Sequence, residues 1–209
     1  AVSVIMIFRD AGRFIADAIH SVEAQTFTDW ELVLVDDGST DDGPAIVARH
    51  QLRLGERLRV LHHPGGGGRG TGPSRNLGMQ AARGRYLAFL DADDVYEPRR
   101  LEQHVQCLER DPDLGVVLSP ERYWRSWQAA DDHAASEDDR IIGPAVTPGR
   151  RIEPPALIVA TLLTRGAPMP ALCSITFRAE AFGRLGGIPG GSNGHYEDQA
   201  LICKLLLDG

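Results

Sequence analysis

A mostly parallel α/β sheet flanked by helices is the fold this sequence predicts. Three observations carry the prediction. Short apolar runs alternate with segments whose apolar residues recur at helical spacing, the mark of successive β-α-β units. Acidic breaks follow two of those runs, where strands of such a sheet open into ligand-binding loops. The chain has 209 residues, enough for one core burying roughly 70% of the unfolded surface without a disulfide or metal.

The elements follow in order. Val2–Phe8 reads as a buried first strand. Phe14, Ile15, Ala18, Ile19 and Val22 place a helix over roughly Arg13–Gln25. Glu31–Val35 is a second strand, broken by Asp36-Asp37-Gly38-Ser39. Pro44–Leu54 is a second helix and Arg59–His62 a third strand. Glycine-rich Gly65–Gly72 leads into a helix at about Ser74–Ala82, and Tyr86–Leu90 is a fourth strand running into Asp91-Ala92-Asp93-Asp94. Leu101, Val105 and Leu108 mark one face of the next helix, and Gly115–Leu118 is a fifth strand. From Pro120 to about Arg151 no period is visible, so an irregular, partly mobile insertion is expected. Order returns with a helix near Pro155–Leu163, a strand at Cys173–Phe177 and a short helix at Ala179–Leu185. A second glycine-rich loop, Gly186–Gly194, precedes a last helix from about Glu197.

Composition narrows the function. A net charge of −7 argues against a general nucleic-acid binder, which needs a basic surface. Lys204 is the sole lysine, so no P-loop or Schiff-base lysine stands elsewhere. Cys107, Cys173 and Cys203 form an odd set without C-x-x-C, are expected to be reduced core thiols, and suit a cytoplasmic protein. No apolar stretch is long enough to span a membrane, which leaves peripheral membrane contact open. The chain starts without Met and stops on Leu-Leu-Leu-Asp-Gly, so truncation at the C-terminus is expected.

The two acidic clusters fall at the carboxyl edge of the predicted sheet. Each alone fits a solvated turn or a helix cap; together on one edge they point to a ligand. In an extended segment Asp91 and Asp93 share a side, and like charges that close call for a cation. Mg²⁺ or Mn²⁺ with one or two carboxylates and a diphosphate supplies it. The run Gly65–Gly72 lacks the G-K-[ST] ending of a phosphate loop and is read as a flexible surface loop. Arg75, just beyond it, begins a helix where it can approach an anion. Glu197 and Asp198 point about 100° apart on a helix, so one suits a base and the other a cap or anchor; both also suit a helix N-terminus. His195 fits a solvent or capping role better than a metal ligand.

In this order and spacing the segments resemble family 2 glycosyltransferases of the GT-A fold. The resemblance rests on Val2-Ser3-Val4-Ile5 with Ala18 to Thr26, on Glu31 to Asp41 around Asp36-Asp37-Gly38-Ser39, on Ser74-Arg75-Asn76-Leu77-Gly78 through Asp91-Ala92-Asp93-Asp94, and on Tyr196-Glu197-Asp198. It implies a mostly parallel twisted sheet with a Rossmann-like nucleotide-binding half (1–119) and an acceptor half (120–209). It also implies a metal-dependent inverting transfer from a nucleotide-diphosphate sugar, most readily a UDP-sugar, to a carbohydrate, lipid-linked or other hydroxyl acceptor. By resemblance, Phe8, Asp36 and Asp37 hold base and ribose, Arg75 lies near the nucleotide and Asp91 faces ribose or sugar. Asp93 binds Mn²⁺ or Mg²⁺, and Asp198 is the general base. The chain departs from the family with Phe8-Arg9-Asp10 after the first strand and with a longer glycine run before Ser74.

Two rivals remain at this level. A sugar nucleotidyltransferase normally carries a G-x-G-T-R loop after its first strand, where this chain has Arg9-Asp10-Ala11-Gly12-Arg13. A non-catalytic nucleotide-sugar-binding module would bind donor without hydrolysing it. Trp124 and Trp127 are available for stacking on an acceptor sugar, and equally suit core or surface positions.

Overall fold

The computed structural model describes residues 1–124, 139–143, 149–163, 169–188 and 197–208. In chain order the elements are β1 (Val2–Phe8), α1 (Ile15–Glu23), β2 (Trp30–Asp36), α2 (Gly43–Leu54), β3 (Leu58–His62), α3 (Thr71–Ala81), β4 (Tyr86–Phe89) and α4 (Arg100–Arg110). They continue with β5 (Val116–Leu118), β6 (Glu121–Tyr123), β7 (Arg140–Ile142), α5 (Ala156–Leu163), β8 (Ile175–Arg178), α6 (Ala179–Leu185) and α7 (Glu197–Asp208).

Six strands form one sheet in the order β3-β2-β1-β4-β8-β5. The first four run parallel, and β8 runs antiparallel between β4 and β5. The fifth strand in sequence therefore pairs not with the fourth but with a strand almost 60 residues later. The second half of the chain thus completes the sheet of the first half, and the two do not separate into independent cores. No helix among the described residues is long and apolar enough to cross a membrane.

Both sheet faces are covered, as a parallel sheet requires. Strand alternation sorts β1 between them. Val2, Val4, Met6 and Phe8 pack beneath α1, α2 and α4, whereas Ile5 faces Met79, Phe89, Phe177 and the apolar sides of α5, α6 and α7. Ser3 is fully buried, donates to Glu31 at 2.5 Å and accepts from the Gly84 amide at 2.8 Å. That bond fixes the turn entering β4.

Two expectations need correction. The stretch after Pro120 is not wholly irregular: β6 and β7 pair as a two-stranded antiparallel sheet. Three-residue strands with mostly exposed side chains are too short to show a period of two. Trp124 is exposed, and Trp127 lies outside the described residues. Cys107 is exposed, not a core thiol, because it stands about 200° round α4 from Val105. All three cysteines are free, and Cys173 and Cys203 are partly buried.

Candidate functional site

The carboxyl ends of β1, β2 and β4 carry three adjoining loops. Asp10 follows β1 with φ 51°. Its carboxylate accepts hydrogen bonds from the Thr40 amide at 2.7 Å, the Thr40 hydroxyl at 3.1 Å and the Asp41 amide at 3.2 Å. The Thr40 amide above all holds that carboxyl below its usual range. The β1 and β2 loops are thereby tied together.

Asp36 and Asp37 divide two jobs. Asp36 accepts from the amides of Gly38 and Ser39 at 3.1 and 2.8 Å, closing its own turn. Asp37 reaches across to the glycine-rich segment. It accepts from the Arg69 amide at 2.7 Å, the Gly70 amide at 3.0 Å and the Ser74 hydroxyl at 2.8 Å. His63 Nε2 lies 2.8 Å from the same hydroxyl, whose proton goes to Asp37, so His63 donates. Gly38 has φ 88°, and a Cβ there would come within 2.8 Å of the Gly68 amide. Close backbone approach thus demands glycine on the Asp37 turn.

The N-terminus of α3 receives a second carboxylate. Glu197, at the start of α7, accepts from the Gly72 amide at 2.6 Å and the Thr71 hydroxyl at 2.7 Å. Asp37 and Glu197 therefore fill the positive end of α3. That end is not a phosphate cradle. One turn on, Arg75 is buried and donates to Asp91 at 3.0 Å.

The Asp91–Asp94 loop is a turn closed by the Asp94 amide on the Asp91 carbonyl at 3.1 Å. Asp91 is partly exposed and Asp93 exposed. Partial desolvation of the Asp94 carboxyl, then the charges of Asp91, Asp93 and Glu121, raise its pKa against a bond from Cys173. Burial first, then the charges of Asp94, Asp91 and Glu121, push the Cys173 thiol up, so it stays protonated. Oxygen donors carrying excess negative charge are what a hard divalent cation takes, so the residues present fit Mg²⁺ or Mn²⁺.

Of the residues singled out in the sequence, Arg75 and Asp91 are brought together. Asp36 and Asp37 stand on the same edge, engaged by backbone amides. Phe8 points into the core by strand alternation, and its carbonyl accepts the Asp37 amide at 2.9 Å. Asp198 is half-buried in the first turn of α7, its carboxylate accepting the Gln199 amide at 2.9 Å. His195 lies outside the described residues.

Sequence reasoning missed several supports. Asn76 pairs reciprocally with the backbone of Ile188, each bond 2.8 Å, and docks the chain just after α6 onto α3. Gln25 accepts from the Leu101 amide at 3.0 Å and donates to the Glu97 carbonyl at 2.8 Å, fixing the chain after Asp94. Arg100 is buried and, among the described residues, has no carboxylate partner. It donates to the Cys173 and Ile175 carbonyls at 2.7 and 3.1 Å and lies over the Tyr96 ring. The Tyr96 hydroxyl bonds the Phe89 carbonyl. Each of these partners is remote in sequence or a backbone atom, so no local pattern announces it.

The model of the glycosyl transferase family 2 matches residues 3–155. An uncharacterised glycosyltransferase of Nostoc sp. is 36% identical over 116 residues, which is 56% of this chain and 35% of that protein. Glycosyltransferase GlyG of Streptococcus pneumoniae is 31% identical over 116 residues, 55% of this chain and 38% of its own length. The chain thus spans between a third and two fifths of these relatives. Among solved structures, S. aureus TarS 1-349 in complex with UDP-GlcNAc superposes with a TM-score of 0.69 at 21% identity, over 98% of this chain and 53% of that one. The mannosyltransferase PcManGT of Pyrobaculum calidifontis, in complex with GDP-Man and Mn²⁺, gives 0.65 at 20% identity, over 96% and 50%. The shared fold is of the GT-A type.

Proposed function

This chain belongs to glycosyltransferase family 2, and on that premise we propose that it transfers a sugar from a nucleotide-diphosphate donor, in the first instance a UDP-sugar, to an acceptor hydroxyl. One observation carries the reading. The first two turns of α3 bind Asp37, Glu197 and Asp91, so the donor-side motifs and the segment bearing Asp198 share one frame. The UDP-GlcNAc and GDP-Man named for TarS and PcManGT support a nucleotide-sugar donor, and the Mn²⁺ of the latter supports a divalent ion.

In the proposed reaction the acceptor oxygen attacks the anomeric carbon as the bond to the diphosphate breaks, inverting that centre. Asp198 takes the acceptor proton. Positioning of the acceptor hydroxyl and late proton capture are its contribution. Asp93 would hold the divalent ion, which when bound offsets charge on the leaving diphosphate. Arg75 orients Asp91 towards the ribose or sugar, while Asp36 and Asp37 shape the wall for the base. The acceptor is a carbohydrate or lipid-linked hydroxyl, met on the side of the segment after Pro120. Free cysteines suit a cytoplasmic setting.

The test is a screen of UDP- and GDP-sugars for thermal stabilisation with and without Mn²⁺, followed by donor hydrolysis. We expect one nucleotide class to raise Tm only with the ion and to be slowly hydrolysed. Stabilisation without hydrolysis would make the protein a binding module. Neither effect with any nucleotide sugar would remove the proposal.

A further inference from the structure

Three metal-ligating side chains meet on the edge of the sheet opposite the site above. In each β-α-β unit the helix runs back along its strands, so the last turns of α1 and α2 both lie beyond the strands' amino ends. There His20 and Glu23 of α1 and His50 of α2 each offer a ligand atom, all within 4.8 Å of one another. His20 Nε2 lies 3.9 Å from Glu23 Oε2, and the two imidazoles meet edge-on with centroids 4.9 Å apart. Two helix C-termini turn their partial negative charge towards the place.

The place already selects a cation. Arg53 sets Nη1 2.5 Å from Glu23 Oε1, and Nη2 2.9 Å from Oε2 and 2.8 Å from His50 Nδ1. A guanidinium only donates, so Nδ1 of His50 presents its lone pair. That is the form a metal binds. Glu23 Oε1 is buried and, despite its short ionic contact, receives no aligned hydrogen bond. Arg53 is 54% exposed and His20 58%, so one is free to swing out and the other to turn in.

We propose that His20, Glu23 and His50 are the protein ligands of a divalent transition-metal ion, with the Arg53 guanidinium standing in its position. Two imidazoles, a carboxylate and a water make a four-coordinate Zn²⁺ site. Tetrahedral bonds of about 2.0–2.2 Å require ligand atoms about 3.3–3.6 Å apart, a closure within reach of the His20 and Glu23 rotamers. The bound ion clasps α1 to α2.

The test titrates chelator-stripped protein with ZnCl₂ by calorimetry. We expect a Zn²⁺ ion bound at least tenfold more weakly in His20→Gln and His50→Gln, and as in wild type in Glu180→Gln, an exposed carboxylate on α6. Arg53→Ala removes the competing cation and should tighten binding at least threefold. A Co²⁺ form should lack a thiolate charge-transfer band. His20 is exposed, so its variant reads the site even where the His50 variant unfolds. No Zn²⁺ uptake, equal uptake by wild type and His20→Gln, weaker uptake by Arg53→Ala, or a thiolate band would each overturn the assignment. None of these outcomes depends on glycosyl transfer.

Discussion

Arg75, buried in the second turn of α3, holds the partly exposed Asp91 at 3.0 Å. The pair joins the helix after the glycine-rich run to the loop after β4. Arg75→Ala should raise the donor KM at least tenfold, and Arg75→Lys less, since an ammonium keeps the charge but loses the planar fork. Nucleotide titration of both variants checks this. Unchanged affinity in Arg75→Ala would separate the pair from donor binding.

Glu197 caps a helix that begins 126 residues earlier. Glu197→Ala leaves the Gly72 amide and Thr71 hydroxyl without their acceptor and should cost about 2 kcal/mol in urea unfolding. Glu197→Gln keeps an acceptor oxygen without the charge and should lose about half as much. In both, kcat should fall more than nucleotide affinity, because Asp198 is the neighbouring residue. A loss of stability with kcat intact would confine Glu197 to structure.

Asp198 and Asp93 should separate kinetically. Asp198→Asn is expected to keep donor binding and lower turnover by a factor of about 10²–10⁴, the range of a general base. Asp93→Ala should instead remove the Mn²⁺-dependent part of nucleotide binding, read as a missing Tm shift. Normal turnover in the first, or an undiminished shift in the second, would reassign the residue.

Strands, helices and the acidic edge are legible in the sequence because they rest on local periodicity and on breaks in it. Ile5 and Met6 fall on opposite faces by alternation alone, and the same rule turns Phe8 into the core. What the sequence does not disclose is which carboxylate serves the backbone. Asp36 closes a local turn and Asp37 a distant one, yet they are adjacent and chemically the same. Glu197 and Asp198 pose the same problem: helical geometry separates their directions, and only the folded position of Thr71 identifies Glu197 as the cap. The place of β8 is equally hidden, since a four-residue strand carries no sign of its neighbours.

A final prediction concerns acid stability. His104 is 3% exposed on α4, with Nδ1 2.9 Å from Thr176 Oγ1. That oxygen also accepts from Arg100 at 3.2 Å, which sets a fixed positive charge beside the imidazole. Burial first, and the Arg100 charge second, hold its pKa well below the ordinary value of about 6.5. Between the lowered folded pKa and about 6.5, the unfolded chain binds a proton that the folded chain refuses. Stability therefore falls as pH drops through that window, and the contribution is complete and flat above it. From pH 7.5 to 5.5 His104 should remove up to about 1.4 kcal/mol, the linkage integral for a histidine protonated only when unfolded. Urea unfolding at the two pH values, in wild type and in His104→Gln, isolates the effect. Groups such as His50, lowered mainly by burial, remain in both proteins. The variant should start less stable at pH 7.5 yet lose less on acidification, and equal losses would show that His104 is protonated in the fold.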